Sequence, residues 1–426
     1  MSRTMTGQEA IDYIHSYNWL GSRPGLSRTK DLLSRLGHPE RELRFVHIVG
    51  TNGKGSTAAM LASVLREAGH TTGLYTSPYL WRFHERIQVN GAEITDDELG
   101  EVTDYVRRFA EEMEDHPTEF ELVTCIALEY YRRRGCAIVV LEAGLGGRLD
   151  STNAIPAPEA VVITNIGLDH TALLGDTVEK IAAEKGAVIK PGCEVVLYGQ
   201  TASVEAVIVD ICQAQGVPLT VADFASLRVR EDSRAEQRFD YGRWSDLSIR
   251  LLGEHQRKNG AVVLETVSAL RHRGWSIPGE SVRAGLAKAR WPGRFEILGE
   301  HPWFIVDGGH NPQCATTVAA NLDVYFPGEK VVFLVGVLKD KDYEGLISEI
   351  AGRAGAFVAV TPDSPRALPA EELARHLARY GLPVTVCRSV AEGVAAAVAQ
   401  AGPSGLVCAL GSLYMTGAVR AAFQLF

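Results

Sequence analysis

The feature that most constrains this chain is a glycine-rich loop, GTNGKGS, at residues 50–56. An apolar run at residues 44–49 precedes it and predicts a strand, and Leu61, Val64 and Leu65 fall on one face of the helix predicted to follow. Glycines in such a turn let backbone N–H groups point at an anion at the positive end of the helix. The loop therefore predicts a phosphate site in an α/β fold, built from the following residues: Asn52, Gly53, Lys54, Gly55 and Ser56.

The loop departs from the strict phosphate-loop pattern of kinases and GTPases. Ile48 stands where the first glycine of that pattern belongs, and Ser56 follows Lys54 by two residues rather than one. A glycine-rich turn with a surface lysine is the alternative interpretation. The setting between a predicted strand and a predicted helix favours phosphate binding.

Short β-branched runs alternate with helical patterns along most of the chain, which predicts parallel sheets covered by helices. Further strands are predicted at residues 137–141, 160–164 and 195–198, a hairpin within residues 227–252, and a helix at residues 255–272. A second strand–helix series follows the Pro292-Gly293 break. We expect a mostly parallel, phosphate-loop-type ATPase domain with a small antiparallel hairpin at residues 1–295, and a smaller Rossmann-like α/β domain at residues 296–426.

Length and charge exclude several classes of protein. A chain of 426 residues is too long for one compact core, and 43 Lys and Arg against 52 Asp and Glu give a net charge of −9, unsuited to nucleic acid or anionic membranes. The polar start and the lack of a long apolar run predict a cytoplasmic protein without a membrane span. The seven scattered cysteines predict buried apolar residues rather than disulfides or a zinc site.

Eight blocks in one order resemble the folylpolyglutamate synthase/dihydrofolate synthase family of the Mur ligase superfamily. The blocks are GTNGKGS (50–56), TSPYLWRFHERI (76–87), LEAGLGGRLDSTN (141–153), LDHTALLG (168–175), EKGAVIKPG (184–192), WPGRFEIL (291–298), DGGHNP (307–312) and LKDKD (338–342). The resemblance implies a ligase that uses ATP and two Mg²⁺ ions to join L-glutamate to a pteroate or folate carboxylate. We separately expect a monomer. Only 49 residues precede Gly50, which disfavours the muramyl ligases and their additional N-terminal domain.

Three positions are implied as metal ligands, and a fourth as a modified lysine. Glu142 ends a predicted strand, where an acid is as often a cap or an ion-pair partner as a ligand. Ser77 and His170 follow other strands, and the resemblance makes all three Mg²⁺ ligands although histidine is an unusual choice. Lys185, by composition an exposed helix lysine, is carboxylated to a carbamate in the resembling family.

The remaining assignments also follow from the resemblance. Those for the nucleotide are Asn259, Arg294, Asp307, His310 and Asn311. Those for the pterin pocket are Thr118, Glu119, Phe120, Glu121, Leu149, Asp150 and Ser151, although Thr118 and Glu121 also read as a helix capping box. Those covering the substrate are Phe83 and Arg86, and those for the incoming glutamate are Ser412 and Tyr414. The catalytic set is Lys54, His170, Lys185 and Arg294.

Three alternatives remain at this point. A phosphotransferase or GTPase would turn over phosphate without glutamate, and a regulator would bind ATP without turnover. A muramyl-type substrate is the rival within the ligases. Whether the enzyme makes dihydrofolate, extends folate tails or does both is not legible, because both reactions use one mechanism.

Overall fold

The computed structural model describes residues 4–21 and 23–424. The chain divides into two compact units. The first comprises Met1–Arg228, Asp240–Leu247 and Lys258–Ala289, and the second Val229–Phe239, Ser248–Arg257 and Arg290–Phe426. The functional division at residue 295 stays a prediction.

An eight-stranded sheet forms the centre of the first unit, in the order β4-β3-β2-β5-β1-β6-β7-β8. Its strands are β1 Phe45–Val49, β2 Thr72–Tyr75, β3 Ile87–Val89, β4 Ala92–Glu93, β5 Ile138–Glu142, β6 Ala160–Ile163, β7 Glu194–Leu197 and β8 Leu219–Val221. Neighbours from β2 to β8 are parallel, whereas β3 and β4 form an antiparallel edge. The predicted strands are confirmed within one or two residues, and the sheet brings their carboxyl ends to one edge.

Helices cover this sheet, and apolar side chains beneath them form its cores. They are α1 Gly7–His15, α2 Ser27–Arg35, α3 Lys54–Glu67, α4 Asp96–Ala110, α5 Glu119–Arg133, α6 Thr171–Leu174, α7 Val178–Gly186 and α8 Ala202–Gln215. The helix α3 begins at Lys54, within the glycine loop, and ends before Gly69, whose φ of +85° allows the chain to leave the helix.

The predicted hairpin is a three-stranded sheet in the order β11-β10-β9. Its strands are β9 Leu227–Asp232, β10 Gln237–Tyr241 and β11 Trp244–Ile249. The links at residues 233–236 and 242–243 are short enough only for antiparallel neighbours. Asp240 and Tyr241 lie at the end of β10, and Gly242 with φ +52° makes the reversal to β11. The helices α9 Glu254–His272 and α10 Gly279–Lys288 follow.

The second unit contains a six-stranded sheet in the order β12-β13-β17-β14-β15-β16. Its strands are β12 Glu296–Glu300, β13 Trp303–Val306, β14 Val331–Val335, β15 Ala354–Ala359, β16 Val384–Val386 and β17 Leu406–Leu410. Only β12 is antiparallel to its neighbour. The helices are α11 Pro312–Tyr325, α12 Tyr343–Ala351, α13 Ala370–Leu377, α14 Val390–Ala401 and α15 Leu413–Phe423. The predicted strand–helix series is confirmed, and β12 is an addition to it.

Six of the seven cysteines are buried, which confirms their apolar role, and Cys314 is half-buried. Within residues 4–21 and 23–424, no helix has both the length and the apolar character that crossing a membrane requires.

Candidate active site

The glycine loop lies between β1 and α3 and needs glycine where the backbone enters the helix. Gly53 adopts φ +88°, a left-handed conformation that disfavours other side chains. A Cβ atom at Gly53 would lie 2.8 Å from Oδ1 of Asn259, so the α9 side chain packs against the loop. The structure thus brings Asn259, predicted for the nucleotide, to the loop predicted for its phosphates.

Contacts with the end of β6 hold the same loop. The N–H groups of Thr51 and Asn52 both donate to the carbonyl oxygen of Asn165, over 2.8 and 3.2 Å. The Lys54 amine donates to the carbonyl oxygens of Gly50 and Thr51, over 3.2 and 3.3 Å. The loop is therefore preorganised, and its lysine lies over its own backbone.

Lys185 is buried beneath this loop. The side chain is 3% exposed, although its pattern suggested an exposed helix lysine. Its amine donates to the carbonyl oxygen of Gly50 over 2.7 Å. Burial, assisted by the neighbouring positive charge of Lys54, lowers the pKa of Lys185 to about 7. A large fraction of this amine is therefore neutral near neutral pH.

Glu142 and Ser77 meet at the carboxyl ends of β5 and β2, which are parallel neighbours. Glu142 is 4% exposed, and the Ser77 N–H donates to its Oε2 over 3.3 Å. Across the described part of the chain, no three His, Cys, Asp or Glu side chains gather into a metal cage. A carboxylate beside a hydroxyl, without a full cage, fits Mg²⁺, which keeps several waters and binds substrate phosphates.

His170 lies at the surface, on the loop after β6. Its backbone has φ +49°, which is uncommon for a residue other than glycine. Its Nε2 is 3.9 Å from the Asp169 carboxylate, and the side chain is 36% exposed. Its predicted role as a metal ligand stays a prediction.

Four residues predicted for the substrate come together beside α5. The guanidinium of Arg86 lies 5.6 Å from the ring centre of Phe83 and 5.7 Å from that of Phe120. Its Nη1 is 3.7 Å from Oε1 of Glu119, and His15 Nε2 is 4.0 Å from the same oxygen. Arg86 Nε and Glu119 Oε2 are buried without a hydrogen-bond partner among the described residues. An unpartnered donor and an unpartnered acceptor beside two aromatic rings are suited to bind a planar heterocycle, which can contact the rings and form hydrogen bonds with both groups.

Thr118 and Glu121, predicted for the same pocket, have structural partners. Thr118 caps α5, and its N–H donates to Glu121 Oε2 over 2.7 Å, which confirms the capping box. Both oxygens of Glu121 accept from Arg28 over 2.9 Å, and both side chains are nearly buried. This ion pair ties α2 to α5.

Asp150 is buried and accepts hydrogen bonds from the protein itself. Its donors are the N–H groups of Leu145, over 2.8 Å, and of Thr152, over 3.0 Å, and the Thr152 hydroxyl. Burial raises its pKa, and these donors lower it. Ser151 beside it is buried, whereas Leu149 is largely exposed.

In the second unit, Asp307 follows β13 and organises its own surroundings. Its carboxylate accepts from the N–H groups of Phe295, over 2.7 Å, and Gly309, over 2.6 Å. Burial raises the pKa of Asp307, while the positive charge of Arg294 lowers it. His310 Nδ1 lies 3.3 Å from the Gly308 carbonyl oxygen. Three nucleotide predictions, Arg294, Asp307 and His310, therefore fall in one region of this unit.

The helices at this edge of the second sheet begin with capping side chains. Asn311 accepts from Cys314 N–H over 2.9 Å, and Ser412 accepts from Tyr414 N–H over 3.2 Å. Ser412 is buried, whereas Tyr414 is 45% exposed with its hydroxyl 3.3 Å from Arg366 Nη2. Of the two residues predicted for glutamate, only Tyr414 presents a largely exposed side chain.

Sequence reasoning missed His47 and Thr152, which lie beneath this site. His47 sits fully buried in β1 with Nε2 2.9 Å from the Thr152 hydroxyl oxygen. Burial lowers its pKa to about 3, so the ring is neutral. A histidine inside an otherwise apolar strand was the available signal.

Comparisons with known proteins place these features in a family context. The Mur ligase middle domain matches residues 48–267, and the Mur ligase glutamate ligase domain matches residues 293–413. The chain is 37% identical over 377 residues to the dihydrofolate synthase/folylpolyglutamate synthase of Bacillus subtilis, covering 86% of this chain and 87% of that protein. It is 35% identical over 431 residues to the folylpolyglutamate synthase of Lacticaseibacillus casei, covering 98% of each. Escherichia coli FolC, solved in complex with DHPP and ADP, superposes with a TM-score of 0.88 at 28% identity, covering 99% and 98% of the two chains.

Proposed function

The chain belongs to the folylpolyglutamate synthase/dihydrofolate synthase family of Mur ligases, and from this premise we propose how its residues carry out the reaction. It is an ATP-dependent ligase that adds L-glutamate to dihydropteroate, to the γ-carboxylate of a tetrahydrofolate, or to both. The observation that carries the mechanism is the preorganised glycine loop, with Gly53 against Asn259 and Lys54 over the backbone.

The loop holds the phosphates of ATP. Its N–H groups and the start of α3 face the anion, and Lys54 leaves its carbonyl contacts to neutralise phosphate charge. We also assign Arg294, Asp307 and His310, which lie together in the second unit, to nucleotide binding, supported by the electrostatic interaction of Arg294 and His310 with the Asp307 carboxylate.

Glu142 and Ser77 hold Mg²⁺, with His170 as a candidate ligand of a second ion. The ion, when bound, neutralises charge on the transferring phosphoryl group. Glu142 is suited to this because its carboxylate lies at the carboxyl end of a central strand, next to Ser77 at the end of the neighbouring strand.

Lys185 is the site of a carbamate. Its neutral amine attacks CO₂, forming an N–C bond and releasing one proton, so that a neutral buried amine becomes an anion. The pKa of about 7 and the burial of the amine support this step, because only the unprotonated amine reacts.

The reaction proceeds in two steps. An oxygen of the pteroyl carboxylate attacks the γ-phosphorus of ATP, the bond to the ADP oxygen breaks, and an acyl phosphate forms. The amine of glutamate then attacks the carbonyl carbon, loses a proton, and displaces phosphate to leave an amide. Lys54 and Arg294 stabilise the charge that develops during transfer.

The cluster of Phe83, Arg86, Glu119 and Phe120 receives the pterin ring. The unpartnered Arg86 Nε–H donates to a ring acceptor, and the unpartnered Glu119 oxygen accepts from ring N–H groups. We assign Leu149 and Ser151 to pterin binding as well, on the family resemblance alone. Ser412 and Tyr414 contribute to glutamate binding.

Product analysis tests this function and separates its two forms. The purified protein is incubated with ATP, Mg²⁺ and L-glutamate, and either dihydropteroate or tetrahydrofolate is added. A glutamyl mass gain in both reactions establishes a bifunctional enzyme, and a gain in one assigns the single activity. No gain in either contradicts the proposal. Light scattering and cell fractionation test the proposed monomeric state and cytoplasmic location.

A further inference from the structure

A chain of buried hydrogen bonds runs from the centre of the first sheet to the glycine turn at residues 143–147. His47 and Thr152 are both 0% exposed. His47 Nε2 lies 2.9 Å from Thr152 Oγ1, and that hydroxyl donates to the Asp150 carboxylate. Because the only hydroxyl hydrogen goes to Asp150, the hydroxyl accepts from His47, whose proton is therefore on Nε2.

The Asp150 carboxylate connects Thr152 to the glycine turn at residues 143–147. One of its oxygens accepts from both the hydroxyl and the N–H of Thr152, while the other accepts from Leu145 N–H over 2.8 Å. The carboxylate thus links residues 150–152 to the middle of the turn.

The turn itself contacts three parts of the proposed active site. It directly follows Glu142 at the end of β5. A Cβ atom on Gly144 would lie 2.6 Å from the ring of Phe120, and one on Gly147 would lie 3.0 Å from the carbonyl oxygen of Lys185. Contacts this close leave the turn little room to shift without moving these neighbours.

We infer that Thr152 and His47 are positioning residues, which act through Asp150 to hold this turn in the geometry that substrate binding and phosphoryl transfer require. The inference rests on the proposed function, and it gives Asp150 a structural task in place of direct substrate contact. The hydrogen bonds run in one direction, because the His47 ring is neutral and Thr152 has a single hydroxyl hydrogen. His47 donates to Thr152, and Thr152 donates to Asp150.

Paired variants of the full-length protein test this role. Thr152→Val removes the hydroxyl at nearly constant volume, and Thr152→Ser keeps it. His47→Leu removes the donor, and His47→Gln replaces it near the Nε2 position. Thr266→Val is the matched control, because Thr266 is also 0% exposed and its hydroxyl bonds only within α9, to the Val262 carbonyl oxygen.

We expect Thr152→Val to lower kcat/KM for dihydropteroate, or for tetrahydrofolate if only that substrate is used, at least about tenfold. The KM for ATP should stay within about twofold of wild type, and Thr152→Ser and His47→Gln should recover most activity. Thr266→Val should leave both KM values unchanged. Unchanged kinetics in folded Thr152→Val, or equal damage in Thr152→Ser, overturn the inference.

Hydrogen–deuterium exchange tests the same role without turnover. Peptides covering residues 143–150 should exchange faster in Thr152→Val and His47→Leu than in wild type, and at the wild-type rate in Thr152→Ser and Thr266→Val. Equal exchange in all variants contradicts positioning. A wild-type protein that forms no glutamylated product refutes the proposed function instead, while the exchange result still decides whether the hydrogen-bonded chain holds the turn.

Discussion

The buried amine of Lys185 donates a hydrogen bond over 2.7 Å to the carbonyl oxygen of Gly50, the first residue of the phosphate loop. The two residues are far apart in the sequence, and the fold places the end of α7 beneath the loop. A cation is unfavourable at 3% exposure next to a second lysine. Conversion to a carbamate removes that cation.

Activity is therefore expected to depend on CO₂ and on pH. The folded-state pKa of about 7 lies below the ordinary lysine value, so the neutral, reactive amine predominates above pH 7 and is lost as the pH falls below it. Activity in CO₂-depleted buffer should be low, and bicarbonate should restore it. Intact mass spectrometry should detect the carboxyl adduct.

Lys185→Ala should lose at least about a hundredfold in kcat, because the carbamate anion proposed at this position would help to organise the Mg²⁺ site. The control is Lys180→Ala on the same helix, where the lysine is exposed and paired with Asp176. Activity independent of bicarbonate, together with an unmodified mass, would contradict the carbamate.

Gly53→Ala should impair ATP binding beyond its effect on stability. The alanine would have to adopt φ +88° with its Cβ 2.8 Å from Asn259 Oδ1. Gly69→Ala is the matched control, since Gly69 has φ +85° and no atom within 4 Å of a Cβ. Each change should destabilise the fold by about 1–2 kcal/mol, but only Gly53→Ala should raise the KM for ATP, by about tenfold or more. Equal KM values in both variants argue against the loop as the phosphate site.

Glu142→Gln should abolish the response to Mg²⁺ while leaving the protein folded. The amide preserves the shape of the side chain and can still accept from Ser77 N–H, but it lacks the negative charge that a divalent cation requires. Chelation should inactivate the wild type, and Mg²⁺ should restore it. Glu129→Gln is the control, since Glu129 is equally buried but paired with Arg132 and Arg133. It should lower the melting temperature and leave the Mg²⁺ titration unchanged.

Neighbouring acids on α5 should separate substrate binding from stability. Glu119→Gln should raise the KM for the pteroyl substrate about tenfold, because its unpartnered oxygen is the proposed acceptor. Glu121→Gln should instead destabilise the fold by about 2–4 kcal/mol, because it leaves Arg28 without its buried carboxylate. Equilibrium unfolding and steady-state kinetics on both variants distinguish the two effects. The assignment is wrong if Glu119→Gln leaves this KM unchanged.

The strands that could be predicted from the sequence are those with apolar side chains along most of their length. The strand–helix series that contains β13, β14 and β17 was predicted because continuous apolar runs specify strands buried on both faces. The edge strands β3 and β4 were missed because they are short, and β12 was missed because it mixes polar and apolar side chains. Their pairing depends on a neighbouring strand that local pattern does not reveal.

The site could be predicted where a local motif defines it. The loop at residues 50–56 and the capping box of Thr118 and Glu121 are legible from spacing alone. The burial of Lys185 and the hydrogen bond from His47 to Thr152 depend on partners far along the chain. Only the fold brings such partners together, so no local pattern could reveal them.

ADP release measured with and without L-glutamate tests the central claim most directly. With ATP, Mg²⁺ and a pteroyl substrate present, ADP should form rapidly only when glutamate is added, in proportion to a product that has gained a glutamyl unit. ADP formation at the same rate without glutamate, and without a glutamylated product, would contradict the ligase mechanism and indicate a phosphohydrolase.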